Sequence, residues 1–207
     1  MTLTVHHLDD SRSQRILWLL EELGLPYEVV RHRRHPETRR APAALREVHP
    51  LGKSPVLVDG GTAMVESGAI IEHVIDRHGN GRLRPAPGTE SETLYRQWLH
   101  FSEGSLMLPL LMALIAVPDG GDRVKAYTAG ETKALFGYVE DHLSKHSWFA
   151  GSALSGADIA MSFPLEAMYS RGALAPASAA WVSKIHKRPA YLRALQRGGD
   201  YSFGPKP

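Results

Sequence analysis

Residues 49–75 read HPLGKSPVLVDGGTAMVESGAIIEHVI and hold the patterns that decide the fold of the N-terminal half of the chain. Pro55 precedes a Val-Leu-Val run that predicts a strand. The Asp-Gly-Gly at 59–61 predicts a tight hairpin, because glycine accepts the positive φ that such a turn needs. After a short return strand, Glu66 and Ser67 open a stretch whose apolar side chains recur at helical spacing.

Two features of this stretch predict a ligand site. Proline at the start of a strand removes a ladder donor, and a cis bond there would turn the N–H and C=O of Ser54 towards an extended peptide. Glu66 and Ser67 lie where unpaired N–H groups and the positive end of a helix dipole attract a carboxylate. The Ser67 hydroxyl could join that site while Glu66 holds an ammonium group. The alternative is a capped helix after a hairpin, with no ligand.

The Gly-Lys-Ser-Pro-Val-Leu sequence at 52–57, followed by the Glu-Ser pair, resembles the glutathione-binding half of the cytosolic glutathione transferases. The resemblance implies that the Pro55 bond is cis and that the Ser54 backbone pairs with the cysteinyl residue of glutathione. It also implies that Glu66 and Ser67 hold the γ-glutamyl end, and that Lys53 reaches the glycine end. We therefore expect glutathione as a co-substrate.

Composition narrows the classes of protein that remain. The chain has 207 residues, enough for two small domains that each bury a core. Its formal net charge of +2 argues against nucleic acid as the main partner. With no signal-peptide pattern and no apolar segment of ~18 residues, we expect a cytoplasmic protein with no membrane partner. The absence of cysteine excludes disulfides, thiolate metal sites and a thiol nucleophile from the protein itself.

The order of predicted elements indicates two domains. Residues 3–8 predict a strand, a helix follows up to Gly24, and a second strand and a short helix precede the stretch quoted above. This β-α-β-α-β-β-α order fits an α/β domain with a small mixed sheet, the thioredoxin-like arrangement that the resemblance implies. After a linker at 82–88, strand signals become rare. We predict a thioredoxin-like domain over 1–80 and an all-α helical bundle over 89–207.

The helices predicted beyond the linker carry three further expectations. Pro109, within a helix predicted over 89–116, predicts a kink. The Ser-Gly-Ala-Asp-Ile sequence at 155–159 resembles the N-capping segment of the transferase helical domain, and we assign it to folding. His142 and His146 are one turn apart, a metal-binding spacing, but no third ligand is apparent. We interpret them as a solvated face and expect no metal.

The turn after the first strand is the best candidate for catalysis. At a reference pKa near 8.5, only about 3% of a thiol is thiolate at pH 7, and a hydroxyl at a helix N-terminus favours the charged form. Residues 10–23, DSRSQRILWLLEEL, resemble the first-helix signature of a fungal and bacterial transferase group. That match places Ser11 at the activating hydroxyl. Related classes place the catalytic residue one position earlier, which here is Asp10, a poor hydrogen-bond donor. Ser13 is the alternative activating hydroxyl, or it only caps the helix.

The resemblance covers nearly the whole chain and implies a detoxifying transferase. Bound glutathione thiolate would attack a small, mostly apolar electrophile, with no metal or organic cofactor beyond glutathione, in a homodimer. Candidate walls of the electrophile site lie along the kinked helix: Met107, Leu108, Leu111 and Met112. Two alternatives remain, a glutathione-dependent peroxidase and a non-enzymatic binding or regulatory protein on the same fold. Retention of Ser11, Glu66 and Ser67 favours an enzyme.

Overall fold

The computed structural model describes residues 2–115 and 121–205, and they form two compact units. The first consists of residues 2–84 together with 183–205, and the second of 85–115 with 121–182. Within these described residues, no helix combines the length and the apolar character needed to cross a membrane.

A four-stranded mixed sheet forms the centre of the first unit. Its strands are β1 (Leu3–Leu8), β2 (Tyr27–His32), β3 (Val56–Asp59) and β4 (Thr62–Met64), in the spatial order β2-β1-β3-β4. β1 and β2 pair in parallel, whereas the other two pairs are antiparallel. A parallel pair needs a crossover connection, which α1 (Ser13–Leu23) supplies, and Gly24 ends that helix at φ 62°. The thioredoxin-like sheet predicted from the sequence is confirmed.

Helix α1 is the most deeply buried helix of the first unit. It contacts β1, α3 (Ser67–His78) and α9 (Pro189–Gly198), while α2 (Ala44–Val48) buries only Leu45. Five consecutive apolar side chains of α1 are fully buried: Ile16, Leu17, Trp18, Leu19 and Leu20. A helix that is apolar on all sides belongs inside a core, and α1 therefore holds the sheet to the helices around it.

The C-terminal residues pack within the first unit through α9. The Tyr191 ring meets Trp18 edge-on, with centroids 5.6 Å apart. Arg188 donates to both carboxylate oxygens of Glu22, at 2.5 and 2.8 Å. Contacts thus group residues 183–205 with the sheet. The sequence pattern predicted that they belong to a helical domain over 89–207, and those domain bounds remain a prediction.

The second unit is helical. Its elements are α4 (Glu90–Phe101), a π-helical segment (Ser102–Leu106), α5 (Met107–Ile115), α6 (Gly121–Leu143), α7 (Gly156–Tyr169) and the start of α8 (Pro176–His186). The helix predicted over 89–116 is therefore not regular α-helix throughout, and residue 116 lies outside the described residues. The π-helical segment lies directly before the turn that holds Pro109. Proline clashes with the carbonyl four residues earlier, here Ser105, within that segment.

Helix α7 is the core helix of the second unit, and its start is capped as the sequence predicted. Asp158 accepts hydrogen bonds from the backbone N–H groups of Phe149 (3.0 Å) and Ser155 (2.9 Å), and from the Ser155 hydroxyl (2.9 Å). Asp158 is fully buried. Burial raises its pKa to about 6, although these hydrogen bonds oppose the rise.

Candidate functional site

The turn between β1 and α1 holds Ser11 at the start of the helix. Asp10 has a positive φ of 50°, which reverses the chain before Ser11. The Ser11 hydroxyl accepts the backbone N–H of Ser13 at 3.2 Å, and the Ser11 carbonyl accepts the N–H of Gln14 at 3.2 Å. The Ser11 side chain is 5% exposed, so it lies just below the surface at the N-terminal end of α1.

The Asp10 carboxylate is occupied by other partners. It accepts the Ser202 backbone N–H at 2.8 Å and the Arg39 guanidinium at 2.6 Å. Burial alone would raise the Asp10 pKa, but the hydrogen bonds from Ser202 and Arg39 hold that pKa below its ordinary value. Asp10 is therefore a charged acceptor near neutral pH, which agrees with its description as a poor donor.

Ser13 joins α1 to β1 and does not cap the helix. Its hydroxyl oxygen accepts the Leu8 backbone N–H at 3.1 Å and lies 3.3 Å from the Leu8 carbonyl. The same oxygen lies 2.7 Å from the Ser11 hydroxyl and 2.8 Å from Nδ1 of His7. The residue at the capping position is Arg12, whose side chain makes no capping bond. The interpretation of Ser13 as a helix cap is therefore wrong, because strand β1 takes up its hydroxyl.

His7 extends this arrangement into the core. Its side chain is 1% exposed, and burial is the main cause that lowers its pKa from 6.5 to about 4. The imidazole is therefore neutral at physiological pH. His7, Ser13 and Ser11 form a continuous chain of hydrogen bonds that ends at the surface. The alternation of β1 places His7 on the same buried face as Leu3 and Val5.

The Ser54–Pro55 peptide bond is cis, as the resemblance implies. The Ser54 hydroxyl donates to the carbonyl of His6 at 2.9 Å. Because His6 pairs with Val56 in the antiparallel register, continuation of that register brings Ser54 alongside Leu8. Ser54 and Ser13 are thus held at the same end of β1. Lys53, in contrast, is exposed and forms no salt bridge with any described residue.

The start of α3 carries the Glu-Ser pair. Glu66 is exposed and has an unusual φ of 67°, whereas Ser67 is buried and accepts a hydrogen bond from the Arg15 guanidinium. The sequence predicted a Ser67 hydroxyl turned towards a ligand, and the structure adds Arg15 as its neighbour. Arg15 is itself 2% exposed. It ties the start of α3 to α1, a role that sequence analysis did not assign to it.

Hydrogen bonds therefore connect each predicted glutathione-binding segment to β1 or α1. Ser13 reaches β1 directly and Ser11 reaches it through Ser13. Ser54 reaches β1 through His6, and Ser67 reaches α1 through Arg15. Strand β1 and helix α1 lie at the buried centre of the first unit. A site built in this way is positioned by the core and not by its loops.

The predicted electrophile walls differ in exposure. Met107 is 5% exposed and belongs to the core of the second unit. Leu108 and Leu111, three residues apart on α5, are 53% and 38% exposed, and Met112 is half-buried. Of the four, Leu108 and Leu111 present the most open apolar surface.

The histidine pair on α6 is engaged locally. His142 Nε2 lies 3.2 Å from the Trp148 carbonyl, and His146 Nδ1 lies 3.0 Å from the His142 carbonyl. The two rings stack with centroids 4.4 Å apart. The described residues bring no third metal ligand to this pair.

Three features together define the class of glutathione-binding transferases. They are a thioredoxin-like sheet with a cis-proline turn, a serine at the start of the first helix, and a helical unit that follows. A family model for the glutathione S-transferase N-terminal domain matches residues 5–82, and one for the C-terminal domain matches residues 105–189. The chain belongs to the glutathione S-transferase family and is a glutathione transferase.

Individual relatives agree over nearly the full chain. Glutathione S-transferase 1 of Saccharomyces cerevisiae is 34% identical, over 93% of this chain and 94% of the yeast protein. A glutathione S-transferase structure from Actinobacillus pleuropneumoniae is similar with a TM-score of 0.90 and 36% identity, covering 97% of this chain and 94% of that one. A sphingomonad glutathione S-transferase, solved in complex with glutathione, gives a TM-score of 0.78 and 26% identity, covering 95% and 98%.

Proposed function

We propose that Ser11 donates a hydrogen bond to the sulfur of bound glutathione and so stabilises the thiolate that attacks the electrophile. The observation that carries this proposal is the hydrogen-bonded chain from His7 through Ser13 to Ser11, which ends at the N-terminus of α1. A hydroxyl donor and the positive end of the helix dipole both favour a negative charge at that point.

The direction of the hydrogen bonds decides whether Ser11 has a proton to donate. If the Ser11 hydroxyl donates to Ser13, its proton is already used. In the opposite arrangement His7 donates from Nδ1 to the Ser13 oxygen, and the Ser13 hydroxyl donates to the Ser11 oxygen at 2.7 Å in place of the Leu8 carbonyl at 3.3 Å. The Ser11 proton then points to the sulfur, and each bond in the chain strengthens the next. The neutral imidazole with its proton on Nδ1 is thus the form of His7 that supports catalysis.

The size of the required effect is within reach of these groups. A decrease of two units in the thiol pKa corresponds to about 2.7 kcal/mol. One hydrogen bond to a charged group contributes about 1.5–3 kcal/mol, and a helix end adds about 0.3–1 kcal/mol. Ser11 and the N-terminus of α1 together can therefore account for this decrease in the thiol pKa, and the proposed reaction uses no cofactor beyond the co-substrate glutathione.

The remaining site residues hold the peptide. In this proposal the backbone of Ser54, oriented by the cis Pro55 bond, pairs with the cysteinyl residue. Glu66 binds the γ-glutamyl ammonium group, the N-terminus of α3 and Ser67 bind its carboxylate, and Lys53 reaches the glycyl carboxylate. The exposure of Glu66 and Lys53 supports these roles, because both charges are open to a ligand from outside.

The second substrate is a small, mostly apolar electrophile that packs on the exposed side chains of α5, above all Leu108 and Leu111. We place the protein in the cytoplasm, where reduced glutathione is maintained as a pool, as a homodimeric enzyme of detoxification.

Conjugation kinetics test the proposal. The rate of glutathione addition to 1-chloro-2,4-dinitrobenzene is measured against pH for the wild type, Ser11→Ala and Ser11→Thr. Ser11→Ala should be about 10–100-fold slower near neutral pH, and the loss should shrink as pH rises, because solvent then deprotonates the thiol unaided. Ser11→Thr keeps a hydroxyl and should recover most of the rate. A Ser11→Ala profile that matches the wild type would overturn the role of Ser11.

A second measurement separates the peroxidase alternative. The same enzymes are assayed with glutathione and an organic hydroperoxide. A transferase should favour the aromatic electrophile, whereas a wild type that turns over the hydroperoxide and leaves the electrophile untouched would identify a peroxidase.

A further inference from the structure

Three side chains converge away from the proposed glutathione site, at the junction of the β3–β4 hairpin and α3. Nε2 of His73 and Nε2 of His78 each lie 2.8 Å from the same carboxylate oxygen of Asp59. These three atoms all lie within 4.8 Å of one another. Asp59 is the last residue of β3, and both histidines lie in the second half of α3.

We infer that Asp59, His73 and His78 form a binding site for a divalent transition-metal ion, with Zn²⁺ as the best fit. Imidazole nitrogen and carboxylate oxygen are the ligands that Zn²⁺ takes beside thiolate, and this chain has no cysteine. Three protein ligands leave a fourth tetrahedral position for water or an anion.

The two nitrogen–oxygen separations at Asp59 suit the ion, and the two Nε2 atoms lie within 4.8 Å of each other. Bonds of about 2.0–2.1 Å at tetrahedral angles place neighbouring ligand atoms ~3.3 Å apart. The two nitrogen–oxygen separations of 2.8 Å would therefore open by only a few tenths of an ångström. Both imidazoles lie next to the same oxygen of Asp59, which brings the three ligand atoms together around one point. A carboxylate that only accepts two hydrogen bonds can instead use its two oxygens separately.

Partial exposure allows the ion and its water to enter. The side chains of Asp59, His73 and His78 are 16%, 18% and 30% exposed. On binding, each histidine would present a neutral Nε2 to the ion and keep its proton on Nδ1.

The site would connect two elements of the first unit. Asp59 precedes the hairpin turn, whereas His73 and His78 belong to the helix that begins at Ser67, so a bound ion would clamp the hairpin to α3. An ion that binds only the folded chain stabilises it by mass action. The inference concerns this clamp and is independent of the role proposed for Ser11.

Calorimetric titration of Zn²⁺ into the full chain tests the site, with glutathione absent because its thiol also binds zinc. We expect one ion per chain. Asp59→Asn, His73→Gln and His78→Gln should each weaken binding at least about 10-fold, the smallest loss seen when even an outer-shell partner of a metal site is removed. His100→Gln, an exposed histidine on α4, is the matched control and should bind as the wild type does.

Thermal unfolding gives an independent result. Zn²⁺ at about 100 times its dissociation constant should raise the Tm of the wild type and of His100→Gln by about 5 °C or more, and that of the three site variants by much less. The inference is overturned if the wild type binds no Zn²⁺, or if all four variants bind it with the same affinity and stoichiometry.

Discussion

A hydroxyl carries a single proton, so the chemistry of Ser11 depends on what its neighbours donate. Ser13 accepts the Leu8 N–H, and its own proton has two acceptors within reach, the Leu8 carbonyl at 3.3 Å and the nearer Ser11 oxygen at 2.7 Å. The catalytic role proposed for the Ser11 hydroxyl, just below the surface, therefore rests on two side chains that are almost completely buried, Ser13 and His7. The sequence predicted both hydroxyls, Ser11 and Ser13, but not the buried His7 imidazole beside Ser13.

Binding of glutathione should depend on the charge of Glu66. Glu66→Gln should weaken affinity by about 1.5–3 kcal/mol if a charged hydrogen bond to the γ-glutamyl ammonium group is lost. Isothermal titration calorimetry with glutathione measures the change directly. Glu37→Gln removes an exposed carboxylate from the loop after β2 and should leave the affinity unchanged. Equal affinities in the wild type and Glu66→Gln would remove Glu66 from the site.

Among the elements, those with strong periodicity were predictable from the sequence. The apolar spacing before Gly24 and after Ser67 identified α1 and α3, and the Asp-Gly-Gly turn identified the β3–β4 hairpin. Each pattern reflects a local rule of backbone geometry, so no knowledge of the folded chain was needed.

Contacts between distant residues were not predictable from the same patterns. His73 and His78 are separated from Asp59 by 14 and 19 residues, and no spacing rule links a strand end to the second half of a helix. The bond between Arg15 and Ser67 spans 52 residues. The packing of α9 on α1 likewise requires the C-terminal part of the chain to come back to the first unit, and amphipathic spacing does not specify that path.

The packing of α9 on α1 should make a large contribution to stability. Tyr191 is 1% exposed and meets Trp18, so Tyr191→Ala should lower the free energy of unfolding by about 3–5 kcal/mol. Leu192→Ala changes the next residue, which is 42% exposed, and should cost under about 1 kcal/mol. Denaturant unfolding of both variants gives the comparison. Similar losses would show that α9 does not depend on this contact.

At the scale of the whole molecule, two buried groups give opposite responses to pH. The lowered pKa of His7 means that the unfolded chain binds a proton between pH 6.5 and about 4 that the folded chain refuses. That contribution to stability is present above pH 6.5 and is lost as pH falls through this range. Asp158, with a raised pKa of about 6, contributes stability below pH 3.8 that is lost as pH rises through 6.

Removal of the His7 imidazole should therefore reduce the loss of folding stability between pH 7 and pH 4. Between pH 7 and pH 4, His7 accounts for a loss of about 3 kcal/mol, from a pKa difference of ~2.5 units. His7→Gln should lose less stability than the wild type by about that amount over the same interval, whatever its absolute stability. Chemical denaturation at both pH values measures this difference. The contribution of Asp158 to the pH dependence cancels in the comparison, because both proteins contain it. Identical pH slopes would mean that His7 titrates normally in the folded chain.

The function of the whole molecule depends on one quantity, the apparent pKa of the bound glutathione thiol. The most direct measurement is the ultraviolet absorbance of the thiolate against pH in complexes of glutathione with the wild type and with Ser11→Ala. We expect the wild-type complex to titrate about two units below the free-thiol value near 8.5, and the Ser11→Ala complex to return towards that value with nearly unchanged affinity for glutathione. Superimposable titration curves for the two complexes would contradict the proposal, because the thiolate would then owe its stability to groups other than Ser11.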